Sequence, residues 1–194
     1  MTVLALLRHG PTPWSREHRL QGRTDLTLDA ASKAEIASWR LPAELAGARW
    51  LTSPLQRARD TAKLLGVEAA VEPRLVEMNW GAWEGKSVHE LRRHVDAFTA
   101  EEARGLDLTP PGGESPRMVQ HRLVPLLTRL AAGGGMVGAV THKGVIRALF
   151  ALATGWAMLG KPPDKLAWDA LHLFRLGRDG GLRVERLNLP VRPA

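Results

Sequence analysis

Apolar positions along the chain fall into short unbroken runs and stripes at helical spacing, and the two patterns alternate. Val3-Leu4-Ala5-Leu6-Leu7 is an unbroken run that stops at Arg8, and Met136 to Val140 is a second that stops at Thr141-His142. Such runs predict strands buried on both faces, as in the interior of a parallel sheet. Arg49 to Thr52 and Glu68 to Val71 predict two shorter strands. Leu171 to Leu176 and Leu182 to Leu187 alternate around Asp179-Gly180-Gly181, the pattern of a hairpin, with His172 a structural histidine in mid-strand.

Helical stripes separate the runs. One helix is predicted from Leu28 to Arg40, ended with the help of Pro42. Ser53-Pro54 reads as N-cap and first helical position of another, with Leu55, Ala58, Ala62 and Leu65 as its buried stripe and Gly66 as its stop. Ser87-Val88-His89-Glu90 is a capping box, and Val88, Leu91, Val95 and Phe98 give one apolar face to the helix that it starts; His89 and His94 fall off that face. Ser115-Pro116 opens a helix striped by Val119, Leu123, Leu126 and Leu130, in which Pro125 predicts a kink or a shifted boundary. A last helix runs from Thr141-His142-Lys143-Gly144 to about Ala153. Residues 14–25, 73–85 and 100–113 read as loops, the last broken by Pro110-Pro111-Gly112-Gly113.

The buried runs, with helical stripes between them, read as an α/β chain with a mostly parallel sheet. The 194 residues suit a single domain over 1–194. Composition changes this picture little, with 44% hydrophobic and 24% charged residues. The lack of cysteine excludes disulfides and thiolate chemistry. Met1 to Leu7 lacks a basic leader region and a cleavage site, so the expectation is a cytoplasmic protein with no membrane partner. The net charge of +7 is spread along the chain without a basic block, which argues against nucleic acid and suits anionic substrates instead. A homodimer is an assembly the sequence leaves open.

Chemistry concentrates where the runs end. Ligands in open α/β sheets collect beyond the carboxyl ends of strands, and Arg8-His9-Gly10-Pro11-Thr12 stands there, with Gly10 allowing close backbone approach. Thr12 can bond a phosphate oxygen or hold the loop; taken alone, the triplet also fits a hydrogen-bonded histidine beside a surface charge. His142 occupies the same context as His9. Arg57, in a first helical turn, can aim its fork of donors at an anion or be a solvated helix charge. Glu77 lies among Trp80, Trp83 and Glu84, where desolvation would raise its pKa and suit it to general acid work, unless it pairs with an arginine. The loop with Gln21-Gly22 could return over the site.

Leu6 to Thr12, Ser53 to Ala62, Glu77 to Gly85 and Thr141 to Leu149 together resemble the histidine phosphatase superfamily, the phosphoglycerate mutase-like proteins. The resemblance is closest to small bacterial phosphatases such as the α-ribazole-phosphate phosphatases. It implies an α/β three-layer sandwich, a mostly parallel central sheet flanked by helices, and a reaction through a phosphohistidine on His9, with Arg8, Arg57, His142 and Thr12 binding phosphate and Glu77 giving a proton to the leaving group. The implied partner is a small phosphate ester, with a phosphate or sulfate ion fitting the same pocket and neither metal nor cofactor required. Trp14, Gln21, Gly22, Trp80 and Trp83 are the expected substrate-pocket residues. Mutases of the family typically carry Glu where this chain has Pro11 and are longer. Ser15 and Ser32 stand where Asn and Gly are usual. A phosphoglycerate mutase and a non-catalytic phospholigand-binding module are the alternative readings.

Overall fold

The structure, a computed structural model, describes residues 1–191. The apolar runs form its sheet. Strands β1 (Thr2–Arg8), β2 (Arg49–Thr52), β3 (Ala69–Val71) and β4 (Gly135–Thr141) lie parallel in the spatial order β3-β2-β4-β1. The hairpin of β5 (Ala170–Leu176) and β6 (Leu182–Pro190) adds antiparallel to β1. Register brings three strand ends level: Arg8 stands opposite Thr141, and Thr52 opposite Val140.

Seven α-helices flank the sheet among the described residues: α1 (Pro13–Arg16), α2 (Ala30–Ala37), α3 (Gln56–Leu64), α4 (Val88–His94), α5 (Asp96–Glu102), α6 (Pro116–Gly133) and α7 (Lys143–Thr154). Successive strand residues point to opposite faces, and the two faces of β1 feed two cores. Leu4 and Leu6 meet Leu123, Leu127, Val145 and Leu149 from α6 and α7. Ala5 and Leu7 meet Ile36, Ala58 and Ala62 from α2 and α3. This is the three-layer arrangement that the resemblance implies.

Several boundaries differ from the sequence reading. Ser53 does not cap α3, which starts at Gln56. Its hydroxyl is taken by His142, and the helix is capped from outside by the Asp25 carboxylate, 2.9 and 3.0 Å from the Gln56 N–H nitrogen. The helix expected over 28–40 is only Ala30–Ala37, because Asp29 caps it late and Ser38 ends it. The single helix expected after Ser87 is two, broken where Val95 turns extended at φ −131° and ψ 95°. Its Leu91 and Phe98 nonetheless share one small core. The loop expected from residue 100 begins later, since α5 runs to Glu102. Helix α6 passes through Pro125, which is exposed, so the carbonyl it leaves unpaired faces water.

Gly138 on β4 stands opposite Trp50 on β2, and a Cβ there would lie 2.5 Å from the indole. Gly138→Ala should overpack the sheet and lower stability by about 1–3 kcal/mol, read as a lower urea midpoint at unchanged m-value.

Candidate active site

The level strand ends build the site. His9 follows β1 and donates its backbone N–H to Thr141 O, while Ser53 follows β2 and donates to Val140 O. His9 and His142 thereby lie with ring centroids 5.1 Å apart. Gly10 lets the chain turn under α2, since a Cβ there would collide with Ile36, and its N–H donates to Thr61 Oγ at 3.0 Å.

The hydrogen bonds of His9 determine its tautomer. Nδ1 is 2.7 Å from the Gly10 carbonyl, which can only accept, so Nδ1 carries the proton. Nε2 is therefore unprotonated, and its lone pair accepts from Arg57 Nε at 3.2 Å. Burial above all, then the charges of Arg8 and Arg57, holds the His9 pKa well below its usual 6.5. His142 is lowered in the same way, by burial first, and its Nε2 lies 2.6 Å from Ser53 Oγ. His142 Nδ1 and Arg8 Nε are buried without a hydrogen-bond partner.

Arg57 is fully buried. Its Nη1 and Nη2 donate to the carbonyls of Thr24 (2.8 Å) and Gly22 (2.6 Å), so the loop over 22–24 is tied down onto the site. Glu84 anchors that loop from the other side, accepting from the N–H groups of Arg23 and Thr24 and from the Thr24 hydroxyl. Gly22 sits at φ +55°, and a Cβ on it would run into Glu84.

Glu77 reaches the site because the segment after β3 is pinned to β4: Thr141 Oγ donates to Leu75 O at 2.8 Å. Its carboxyl is 6% exposed and accepts from the N–H groups of Met78 and Gly144. Burial raises its pKa above the usual 4.5, against the opposing pull of those N–H groups and of Arg57 and Arg8.

A cavity of about 960 Å³ opens over Arg8, His9, Gln21, Glu77 and Trp80. A second depression of about 820 Å³, beside Pro42, Trp50 and Gly66, holds none of these groups. Three expected pocket residues, Trp14, Gly22 and Trp83, lie off the cavity. Trp83 is buried edge-on against Phe98 at 4.8 Å and supports that wall from behind, while Trp14 packs along Gly85. Gly22 acts through its carbonyl. Thr12 donates its hydroxyl to Gln21 Oε1 at 3.0 Å and caps α1, in which Ser15 is the reciprocal partner, so it holds the loop. Ser32 is buried and accepts from Arg16. Sequence reasoning assigned Ser53 to a cap and gave no site role to Lys143, Arg147 or Trp168, which line the cavity. Ser53 alone had a usable signal, standing just past a strand end as His9 and His142 do.

The chain fits the model of the histidine phosphatase superfamily (branch 1) over residues 4–189. It belongs to that superfamily. A bifunctional protein of Mycobacterium tuberculosis is 34% identical over 96% of this chain and 54% of its own length, so the chain spans about half of that relative. A glucosyl-3-phosphoglycerate phosphatase of Mycolicibacterium vanbaalenii is 32% identical over 87% of the chain and 78% of its own length. The solved mycobacterial glucosyl-3-phosphoglycerate phosphatase in complex with VO3 superposes with a TM-score of 0.78 at 25% identity, covering 96% of this chain and 98% of that one. The fold is therefore that of the superfamily, and no described helix is long and apolar enough to cross a membrane.

Two histidines kept neutral by burial give this superfamily member a pH-dependent stability. The unfolded chain binds a proton on each near pH 6.5 and the fold does not, so stability falls as pH drops through that value. The slope approaches about 1.4 kcal/mol per pH unit for each histidine. Urea unfolding between pH 7 and 5 should show this loss, and His142→Gln should make the slope shallower.

Proposed function

We propose that the chain is a metal-independent phosphomonoesterase that works through a phosphohistidine on His9, with Glu77 as proton donor. The observation that carries this reading is the His9 imidazole itself. Its Nε2 lone pair is held ready by the Nδ1 bond to Gly10, between two arginines and a second histidine.

Attack of Nε2 on phosphorus breaks the bond to the leaving oxygen, which takes the Glu77 proton. A water then gives its proton to the Glu77 carboxylate as it attacks the phosphohistidine; the N–P bond breaks, its electron pair returns to Nε2, and inorganic phosphate departs. Arg8 Nε, Arg57 and His142 Nδ1 offset the charge on the transferring oxygens, the main demand of a loose phosphoryl transition state. Gln21 Nε2, buried without a partner, is a further donor in reach of the cavity. Thr12 supports this set by holding Gln21. Trp80 and Phe98 supply the apolar wall for the leaving group, and no nucleic acid is involved.

Phosphate release from a panel of phosphomonoesters with EDTA present tests the reading: turnover should persist, and His9→Ala should lower it by about a thousandfold or more with the fold retained. Full activity in that variant, or interconversion of 2- and 3-phosphoglycerate without net phosphate release, would overturn it.

Glu77 must be protonated in the first step, so kcat/KM should fall as pH rises through its raised pKa. Glu77→Gln should abolish that alkaline limb and cost most on esters with poor leaving groups. Gly144→Ala would push a methyl into Glu77 and break its bond to the helix N–H. It should lower kcat by about tenfold or more and cost about 1–3 kcal/mol of stability.

A further inference from the structure

Ser53 turns its side chain to a histidine rather than to the helix that follows it. The residue is fully buried, and its backbone is fixed from both sides: the N–H donates to Val140 O at 3.0 Å, and the carbonyl accepts from Thr52 Oγ at 3.3 Å. Its hydroxyl has two partners among the described residues. The Leu55 N–H donates to it at 3.3 Å, and His142 Nε2 lies 2.6 Å away.

A neutral imidazole carries one ring proton, and burial above all keeps His142 neutral. That proton sits on Nδ1 or on Nε2, and the partners of Ser53 decide between them. An N–H can only donate, so Leu55 takes a lone pair of the hydroxyl and offers no place for its proton. With Nε2 protonated, two N–H groups would converge on one oxygen and the Ser53 hydroxyl proton would have no acceptor. With Nε2 unprotonated, Ser53 donates to it and both groups are satisfied. The helix end agrees. His142 is the N-cap of α7, where an unprotonated Nδ1 could accept a first-turn N–H, yet the ring caps nothing, and the Gly144 N–H goes to Glu77 at 3.1 Å. Nδ1 itself is buried with no hydrogen-bond partner among the described residues.

We infer that Ser53 is a positioning residue: by donating to His142 Nε2 it holds the ring proton on Nδ1, and so presents the second histidine to the phosphoryl group as a neutral hydrogen-bond donor. This rests on the phosphomonoesterase reading and deepens it. The two rings, 5.1 Å apart, then carry the same tautomer set by opposite means. An acceptor, the Gly10 carbonyl, draws the proton to His9 Nδ1 and leaves Nε2 to attack. A donor, the Ser53 hydroxyl, occupies His142 Nε2 and leaves an N–H for the phosphate oxygens.

Long-range proton–nitrogen NMR of the imidazoles at about pH 8, where they are neutral, reads the tautomer directly. The His142→Gln variant identifies the His142 signals. Wild type should show Nδ1 protonated and Nε2 unprotonated, and Ser53→Ala should move both nitrogens toward the opposite form. The same substitution should weaken binding of inorganic phosphate by about fivefold, the size of one lost hydrogen bond, and lower kcat/KM on phenyl phosphate by about tenfold or more. Ser53→Cys, close in volume and with a weaker S–H donor, should fall between wild type and Ser53→Ala, and it serves if the alanine variant does not fold. A wild-type ring protonated on Nε2 overturns the proposal. So does a tautomer unchanged in a folded variant, even one of lower stability, or a tautomer that shifts while phosphate binding stays constant. Neither the spectrum nor phosphate binding needs turnover, so a wild type that hydrolyses nothing removes the phosphatase reading and leaves the role of Ser53 to be decided by these two.

Discussion

A guanidinium taken wholly out of water must have its donors met, and Arg57 imposes that demand on everything around it. Its Nε is met by His9 and its two terminal nitrogens by the carbonyls of Gly22 and Thr24. Leaving such a charge without partners would cost about 3–5 kcal/mol, so the loop over 22–24 cannot leave without penalty. Glu84 fixes the same loop through its N–H groups, and Asp25 reaches onward to cap α3, the helix that bears Arg57. The charge and the loop hold each other, and the imidazole lone pair is one of the ligands in that arrangement.

The sheet sets where this can happen. Parallel pairing of β1 with β4 and of β4 with β2 brings His9, His142 and Ser53 to one edge by register alone. Glu77 comes from a segment without regular structure, and its position depends on side chains: Thr141 holds Leu75, and Arg122 on α6 bonds the Val76 carbonyl at 2.7 Å. Both strands and pins end at the same carboxyl-side crevice.

Residues that act through backbone periodicity were legible in the sequence. The strands ending at Arg8 and Thr141, the stripes on α3, α6 and α7 and the hairpin all follow from apolar spacing. What spacing could not give was contact between distant side chains. Arg57 carries a solvated-charge pattern on its own helix and is buried only because a loop some thirty residues earlier closes over it. Ser53 has the local signature of a cap and is diverted by His142, 89 residues away. Trp83 has the look of a pocket wall, but the break at Val95 folds α5 back so that Phe98 comes between it and the cavity. Each departure is a tertiary contact overriding a local preference.

Charge distribution separates surface from site. The exposed pairs, such as Arg92 with Glu102, add about 0–1 kcal/mol each and keep the surface balanced. In the cavity the balance shifts: Arg8, Lys143 and Arg147 line it with Glu77, whose burial favours the neutral form, while Glu102 at its edge is already paired with Arg92. The same field keeps both histidines unprotonated, which a nucleophile requires and a simple anion trap does not. A trap would gain from imidazolium charge, whereas here burial and the arginines work against it. Cations that bind and an imidazole kept neutral are therefore two results of one electrostatic environment, and their coexistence favours catalysis over retention of a bound phosphate.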